Sequence, residues 1–270
     1  MKFLLIQTAF IGDVVLATPL IEKLRHFYPD ADIDFMVRKG NESLLTGHPL
    51  LRKVWVFNKQ DNKIKNLFRL VKLIRKEKYD YVINAQRFFS SGLITVLSGA
   101  KTTIGFDKNP LSFLFSRKLP HIISKTSKNI HEVDRNLSLI ESLTDASFYN
   151  PKLYPSKDDF EKVKTKEPYI CIAPASVWFT KQYPKERWIE FINAVPDQFT
   201  IYLIGAKSDS ELCQEIISKV TGDGSYFDSA QHKRITNLAG QLSFLESAAL
   251  MQGAVMNYVN DSAPLHFASS

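Results

Sequence analysis

Phe3-Leu4-Leu5-Ile6-Gln7-Thr8-Ala9-Phe10-Ile11-Gly12-Asp13-Val14-Val15 decides the fold of this chain. It is an apolar run short enough for one fully buried strand, then a turn in which a glycine precedes a carboxylate, then the start of a helix. Strand, turn and helix in that order open a βαβ unit of a parallel sheet. Near the other end, Val255-Met256-Asn257-Tyr258-Val259 runs into Asn260-Asp261-Ser262-Ala263-Pro264-Leu265-His266, a second strand-to-helix turn. Two such turns facing each other could hold a charged substrate between them.

Outward from the first turn, strand-like runs at 3–7, 33–37, 54–57, 80–84 and 102–105 alternate with helix-like segments at 14–27, 64–77 and 89–98. A helix is expected over 131–143, and the two prolines of Asn150-Pro151-Lys152-Leu153-Tyr154-Pro155 suit an interdomain linker. The alternation restarts with strands at 169–173, 200–204 and 254–259 and helices at 185–194, 208–220 and 243–252. The expected architecture is α/β: two Rossmann-like doubly wound domains, 1–150 and 151–270, facing a cleft. The chain stops at Ala268-Ser269-Ser270, inside the helix expected from Ser262, so the second domain is expected to be truncated.

The 270 residues, 44% of them hydrophobic, can supply a core for each domain. Lys2 before an apolar run resembles a secretion signal, but Gln7 and Asp13 interrupt it, and no other stretch approaches a membrane span. Cys171 and Cys213 have no metal-ligand spacing and are too few for a disulfide framework, which points to a reducing compartment. The net charge of +7 is uneven: residues 1–150 carry 23 Lys and Arg against 14 Asp and Glu, while the remainder carries 12 against 14. The first half should therefore meet something anionic. Within it, the segment 63–76 places Ile64, Leu67, Phe68, Val71 and Ile74 on one helical face and bases on the rest. That is the pattern of a helix packed on a sheet with a solvated basic face, or of contact with anionic lipid or its phosphates. Nucleic acid is not expected, since no reading motif is present.

Asp13, where a helix begins, has the position of a cap; with Gly12 permitting close approach, it also has that of a general base for a substrate hydroxyl. A helix N-terminus weakens a carboxylate as a base, so desolvation would have to offset it. Ala173 to Trp188 forms a loop leaving a strand and entering a helix, with Pro184 suited to the first turn and the hydroxyls and Lys181 able to ligate phosphate oxygens. Ser262 and the first free amides after it could bind a diphosphate or simply cap a helix. Asp30-Ala31-Asp32-Ile33-Asp34 has metal-binding spacing but leads into a strand, where a turn is the commoner role. Neither a Gly-x-Gly-x-x-Gly fingerprint nor a Walker loop is present, which removes the main support for a dehydrogenase or a P-loop hydrolase.

In this order, Ile11 to Leu20, Lys181-Gln182-Tyr183-Pro184 through Trp188, Leu203-Ile204-Gly205, Asn237-Leu238-Ala239-Gly240 and Asn260 to His266 resemble the ADP-heptose:lipopolysaccharide heptosyltransferases, inverting enzymes of the GT-B fold. The resemblance implies a cytoplasmic glycosyltransferase, peripheral at the inner membrane, that moves heptose from an ADP-sugar to the lipopolysaccharide inner core without a metal or other cofactor. By it, Asp13 is the base; Ser176, Thr180 and Lys181 grip the diphosphate; Asp261, Ser262 and His266 complete the donor pocket. Leu242 would pack the adenine, and Asp209, after the Gly205 turn, would reach the ribose. Gly12, Lys63, Lys65 and Arg87 are the candidates for the anionic acceptor. Two other readings stand beside it: a sugar-nucleotide epimerase of the same fold, and a non-catalytic module that binds nucleotide-sugars or a membrane surface.

Overall fold

The computed structural model describes residues 1–60, 62–125, 128–165, 168–220 and 234–270. The chain divides into two compact units, Met1–Tyr154 and Pro155–Ser269, and the division falls within the proline-flanked stretch.

In the first unit, β1 (Lys2–Ile6), β2 (Asp32–Arg38), β3 (Lys53–Phe57), β4 (Tyr81–Asn84), β5 (Thr102–Phe106) and β6 (Arg117–Leu119) form one parallel sheet in the order β3-β2-β1-β4-β5-β6. This is the doubly wound order, with its switch point between β1 and β4. Helices α1 (Ile11–Val15), α2 (Pro19–Phe27), α3 (Lys63–Glu77) and α4 (Phe89–Leu97) connect the strands. Phe3, Leu4, Leu5 and Ile6 are all essentially inaccessible, as a central parallel strand covered on both faces requires.

The helix expected over 14–27 is two helices. Pro19 has no N–H to continue the first ladder, so α1 ends and α2 restarts with the proline at its first position. Leu67, Leu70, Val71 and Ile74 of α3 face the core, but Ile64 and Phe68 of the expected apolar face are 74% and 55% exposed. Phe68 lies about 100° round the helix from Leu67, beyond the buried stripe. Two of the aspartates with metal-binding spacing are occupied otherwise, Asp32 with its Oδ2 3.8 Å from Lys2 Nζ. Asp34 is fully buried, bonded by Arg52 Nε and Nη2 (2.9 and 2.5 Å), by Tyr79 and at 3.4 Å by Trp55 Nε1. β6 was not foreseen, because Arg117-Lys118-Leu119 is short and polar at the sheet edge. Beyond it, Ser124–Lys125 (β7) and Lys128–Asn129 (β8) pair antiparallel. The expected 131–143 helix is α5 (Glu132–Ser138) followed by a separate 3₁₀ turn at Glu141–Leu143.

In the second unit, α6 (Lys157–Lys162) precedes β9 (Tyr169–Ala173), α7 (Lys185–Ala194), β10 (Thr200–Leu203), α8 (Ser210–Val220), β11 (Ile235–Asn237), α9 (Phe244–Gly253), β12 (Met256–Val259) and α10 (Ala263–Ala268). The sheet is parallel in the order β11-β10-β9-β12, so the switch point lies between β9 and β12. Trp188 and Ile192 of α7 pack with Cys213 and Ile216 of α8 over β9 and β10. Both cysteines are buried and unpaired, and burial pushes each thiol up to about 12, which leaves them inert. Among the described residues no helix is long and apolar enough to cross a membrane.

Candidate functional site

In the first unit the carboxyl edge of the sheet gathers on the loop after β1. Neighbouring loops hold its backbone: Asn41 Nδ2 donates to the Ala9 carbonyl (3.0 Å), and Lys59 Nζ donates to the Thr8 carbonyl (2.6 Å) and hydroxyl (3.1 Å). Gln86, just past β4, donates to the Gln7 side chain. Asp13 stands in the first turn of α1, partly accessible, and its Oδ2 accepts the Phe10 amide at 3.1 Å. Gly12 beside it is buried.

The composition gave no hint of the group against Asp13. Glu132, in the first turn of α5, lies close enough to the Asp13 side chain to feel its charge. Burial, then the Asp13 charge, pushes its carboxyl up, against the opposing pull of Arg135, whose Nη2 lies 3.2 Å from Glu132 Oε2. Asn136 on the same helix donates to the Leu16 carbonyl at 3.0 Å and fastens α5 to the end of α1.

Lys63 and Lys65 are exposed on the first turn of α3, and Arg87 is exposed beyond β4 with its guanidinium 5.7 Å from the Phe88 ring centroid. Lys59 is a further cation that sequence reasoning missed. Burial first, then the nearby Arg38 and Lys63 charges, lower its proton affinity, as crowding of cations must. Only its place after β3, the neighbour of β2, could have pointed to it.

In the second unit the loops after β9 and β12 close on each other across the switch point. Lys181 Nζ is 2.5 Å from Asp261 Oδ2, both groups about half exposed. Ser176 Oγ donates to the Asp261 carbonyl at 3.1 Å, and Ser262 Oγ to the Asn260 carbonyl at 3.3 Å. Asn260, nearly buried, accepts the Tyr183 amide (3.1 Å) and donates to the Pro174 carbonyl (2.7 Å), so it stitches the two loops together. Gln182 Nε2 adds a bond to the Ser176 carbonyl at 2.5 Å. Ser176, Lys181, Asp261 and Ser262 are thus one cluster, with Asn260 and Gln182 as supports that sequence reasoning left out of the site.

The other donor candidates lie around it. Thr180 is exposed in the 3₁₀ turn Phe179–Lys181, and His266 is in α10. Gly205 follows β10, where a Cβ would come within 2.8 Å of Asp209 Oδ2; that carboxylate accepts the Ala206 amide at 2.8 Å. Leu242, half-buried, precedes α9 beyond the outermost strand, β11. A cavity of about 500 Å³ opens beside the Lys181 loop, lined by Pro174, Gln182, Tyr183, Pro184, Trp188 and Leu212 among others. None of the predicted donor residues lines it.

Polar loops at the switch points of two doubly wound parallel sheets define a protein of the Rossmann-like class, in which ligands bind outside the carboxyl ends of the strands. Residues 67–270 match glycosyltransferase family 9 (heptosyltransferase), and the chain belongs to that family. It is similar to lipopolysaccharide heptosyltransferase 3 of Escherichia coli (strain K12), 27% identical over 279 residues that cover 96% of this chain and 76% of the relative. Its fold is that of E. coli ADP-heptose lps heptosyltransferase II (TM-score 0.82, 21% identity, 99% of this chain and 81% of that one). It matches equally the E. coli heptosyltransferase WaaC with ADP-2-deoxy-2-fluoro heptose (TM-score 0.80, 19% identity, 99% and 85%). The chain is a glycosyltransferase of the GT-B fold.

Proposed function

We propose that this glycosyltransferase moves heptose from ADP-heptose to the lipopolysaccharide inner core, with inversion and without a metal ion. The cluster of Ser176, Lys181, Asp261 and Ser262 at one switch point carries this reading. A cation, hydroxyls and the first amides of α10 there suit a diphosphate, and similarity to a lipopolysaccharide heptosyltransferase supports the acceptor.

In an inverting displacement the acceptor hydroxyl attacks the anomeric carbon as ADP departs from the opposite face. Asp13 takes the hydroxyl proton. Lys181 meets the charge that develops on the leaving diphosphate, with Ser176, Thr180 and Ser262 on its oxygens. Because Lys181 already pairs with a half-exposed carboxylate, a bond worth at most about 1 kcal/mol, the diphosphate can take its ammonium at little cost. Gly205 allows close approach of the ribose to Asp209, Leu242 packs the adenine, and His266 completes the pocket. Lys63, Lys65 and Arg87, joined by Lys59 and Arg38, attract the phosphorylated acceptor.

The protein works in the cytoplasm on this reading and touches the inner membrane peripherally. Phe10 and Phe88, on the loops after the neighbouring strands β1 and β4, are 70% and 49% exposed, and Phe89, the first residue of α4, is 56% exposed, with Arg38 4.6 Å from the Phe10 ring centroid. Aromatic rings beside cations suit an anionic bilayer surface.

ADP release from ADP-heptose, measured with heptose-deficient lipopolysaccharide in excess chelator, tests the reading. Transfer without added metal is expected. Strict dependence on a divalent ion would remove the metal-independent mechanism, and a changed sugar-nucleotide formed without acceptor would favour the epimerase.

A further inference from the structure

Asp13, on the mechanism above, has a second carboxylate against it. Glu132 reaches it from α5, 119 positions later in the chain, and two contacts fix the approach: the Arg135 ion pair at 3.2 Å, and the Asn136 bond to the Leu16 carbonyl at 3.0 Å, which fastens α5 to the helix that carries Asp13. Arg135 leaves the pair with one uncompensated negative charge. The other charged groups facing this corner are His121, beyond β6, which feels the positive charges of Arg135 and Arg87, and Asp107 after β5, whose Oδ1 accepts the His121 amide at 2.9 Å. Asp134 and His131 are exposed on the neighbouring turn.

We propose that Glu132 is a positioning residue for Asp13, and that the proton leaving the acceptor hydroxyl is held by the two carboxylates together. The acceptor O–H bond breaks, and its electron pair stays on the oxygen and forms the new bond to the anomeric carbon. The carbon–oxygen bond to the diphosphate breaks, with its electrons leaving on ADP. The proton settles on Asp13 in a hydrogen bond to Glu132. Two like charges in contact bind their first shared proton more tightly than either would alone, and the apparent value belongs to the pair. Such a pair answers the weakening of a lone carboxylate at a helix start. The upward push on the Glu132 carboxyl agrees with this.

The inference rests on the functional reading, so one measurement is chosen that needs no turnover. Carboxyl carbon NMR titration of the full chain, labelled at Glu and Asp, should show Glu132 titrating above the ordinary carboxylate range in the wild type. It should fall in Asp13→Asn, toward the value that burial alone sets. An unchanged Glu132 titration in Asp13→Asn overturns the proposal. In the transfer assay, Glu132→Gln should lower kcat about tenfold and move the acid limb of kcat/KM to lower pH, with KM for the donor unchanged. A limb that stays in place in a folded Glu132→Gln protein also overturns it. If the wild type transfers no heptose, the functional reading fails, and the titration still decides the pair.

Discussion

A single proton has to leave the acceptor hydroxyl, and at the residue scale Asp13 is the group proposed to take it. Asp13→Asn should lower turnover by about 10² or more while melting stays near wild type, because the amide keeps the shape but cannot accept the proton. Lys181→Ala should weaken ADP binding at least about tenfold, read by calorimetry, with stability little changed because its partner is a surface carboxylate. The sheet-edge positions of both residues were legible in the sequence because each sits in a run whose local pattern, strand then turn then helix, announces that edge. Glu132 and Lys59 were not. Each acquires its role from a segment distant in the chain, and no local pattern records that β3 lies two strands from β1 or that α5 returns to α1.

At the scale of elements, the loops after β9 and β12 depend on Asn260. Asn260→Ala would leave the Tyr183 amide and the Pro174 carbonyl without their partner; a loss of about 2 kcal/mol in chemical denaturation is expected, with weaker ADP binding. Gly240, at φ +75°, donates to the Gly205 carbonyl at 2.9 Å, and a Cβ there would meet the Lys207 Cα at 2.6 Å. Gly240→Ala should cost more than about 2 kcal/mol by the same measurement. His48 supplies a pH dependence. Burial above all holds its imidazole at about 4, against an ordinary 6.5; its Nδ1 accepts the Leu50 amide and its ring packs on Tyr154. Its contribution to stability is present above pH 6.5 and is lost as the pH falls toward 4, by roughly 3 kcal/mol at the lower end. Unfolding curves of wild type and His48→Asn should therefore converge over that interval. The eight strands that are apolar runs were read with little error, but the short β6, β7, β8 and β11 were not expected, and α3 misled at Ile64 and Phe68: an apolar residue at helical spacing is buried only if something lies opposite it.

For the whole molecule, the alternation of strands and helices was enough to read two doubly wound sheets, because parallel βαβ units leave so few arrangements. Strand order, and hence which loops share a switch point, came only with the coordinates. The charge imbalance was also plain, and the exposed phenylalanines of the first unit give it a further consequence. The protein should sediment with vesicles rich in anionic lipid and stay in solution with neutral ones, and Phe10→Ser together with Phe88→Ser should reduce that sedimentation severalfold. The most direct test of the central claim is the rate of ADP formation from ADP-heptose and heptose-deficient lipopolysaccharide in chelator, wild type beside Asp13→Asn. The account predicts steady transfer by the wild type and a rate lower by about 10² or more in the variant. Equal rates in the two proteins would contradict it.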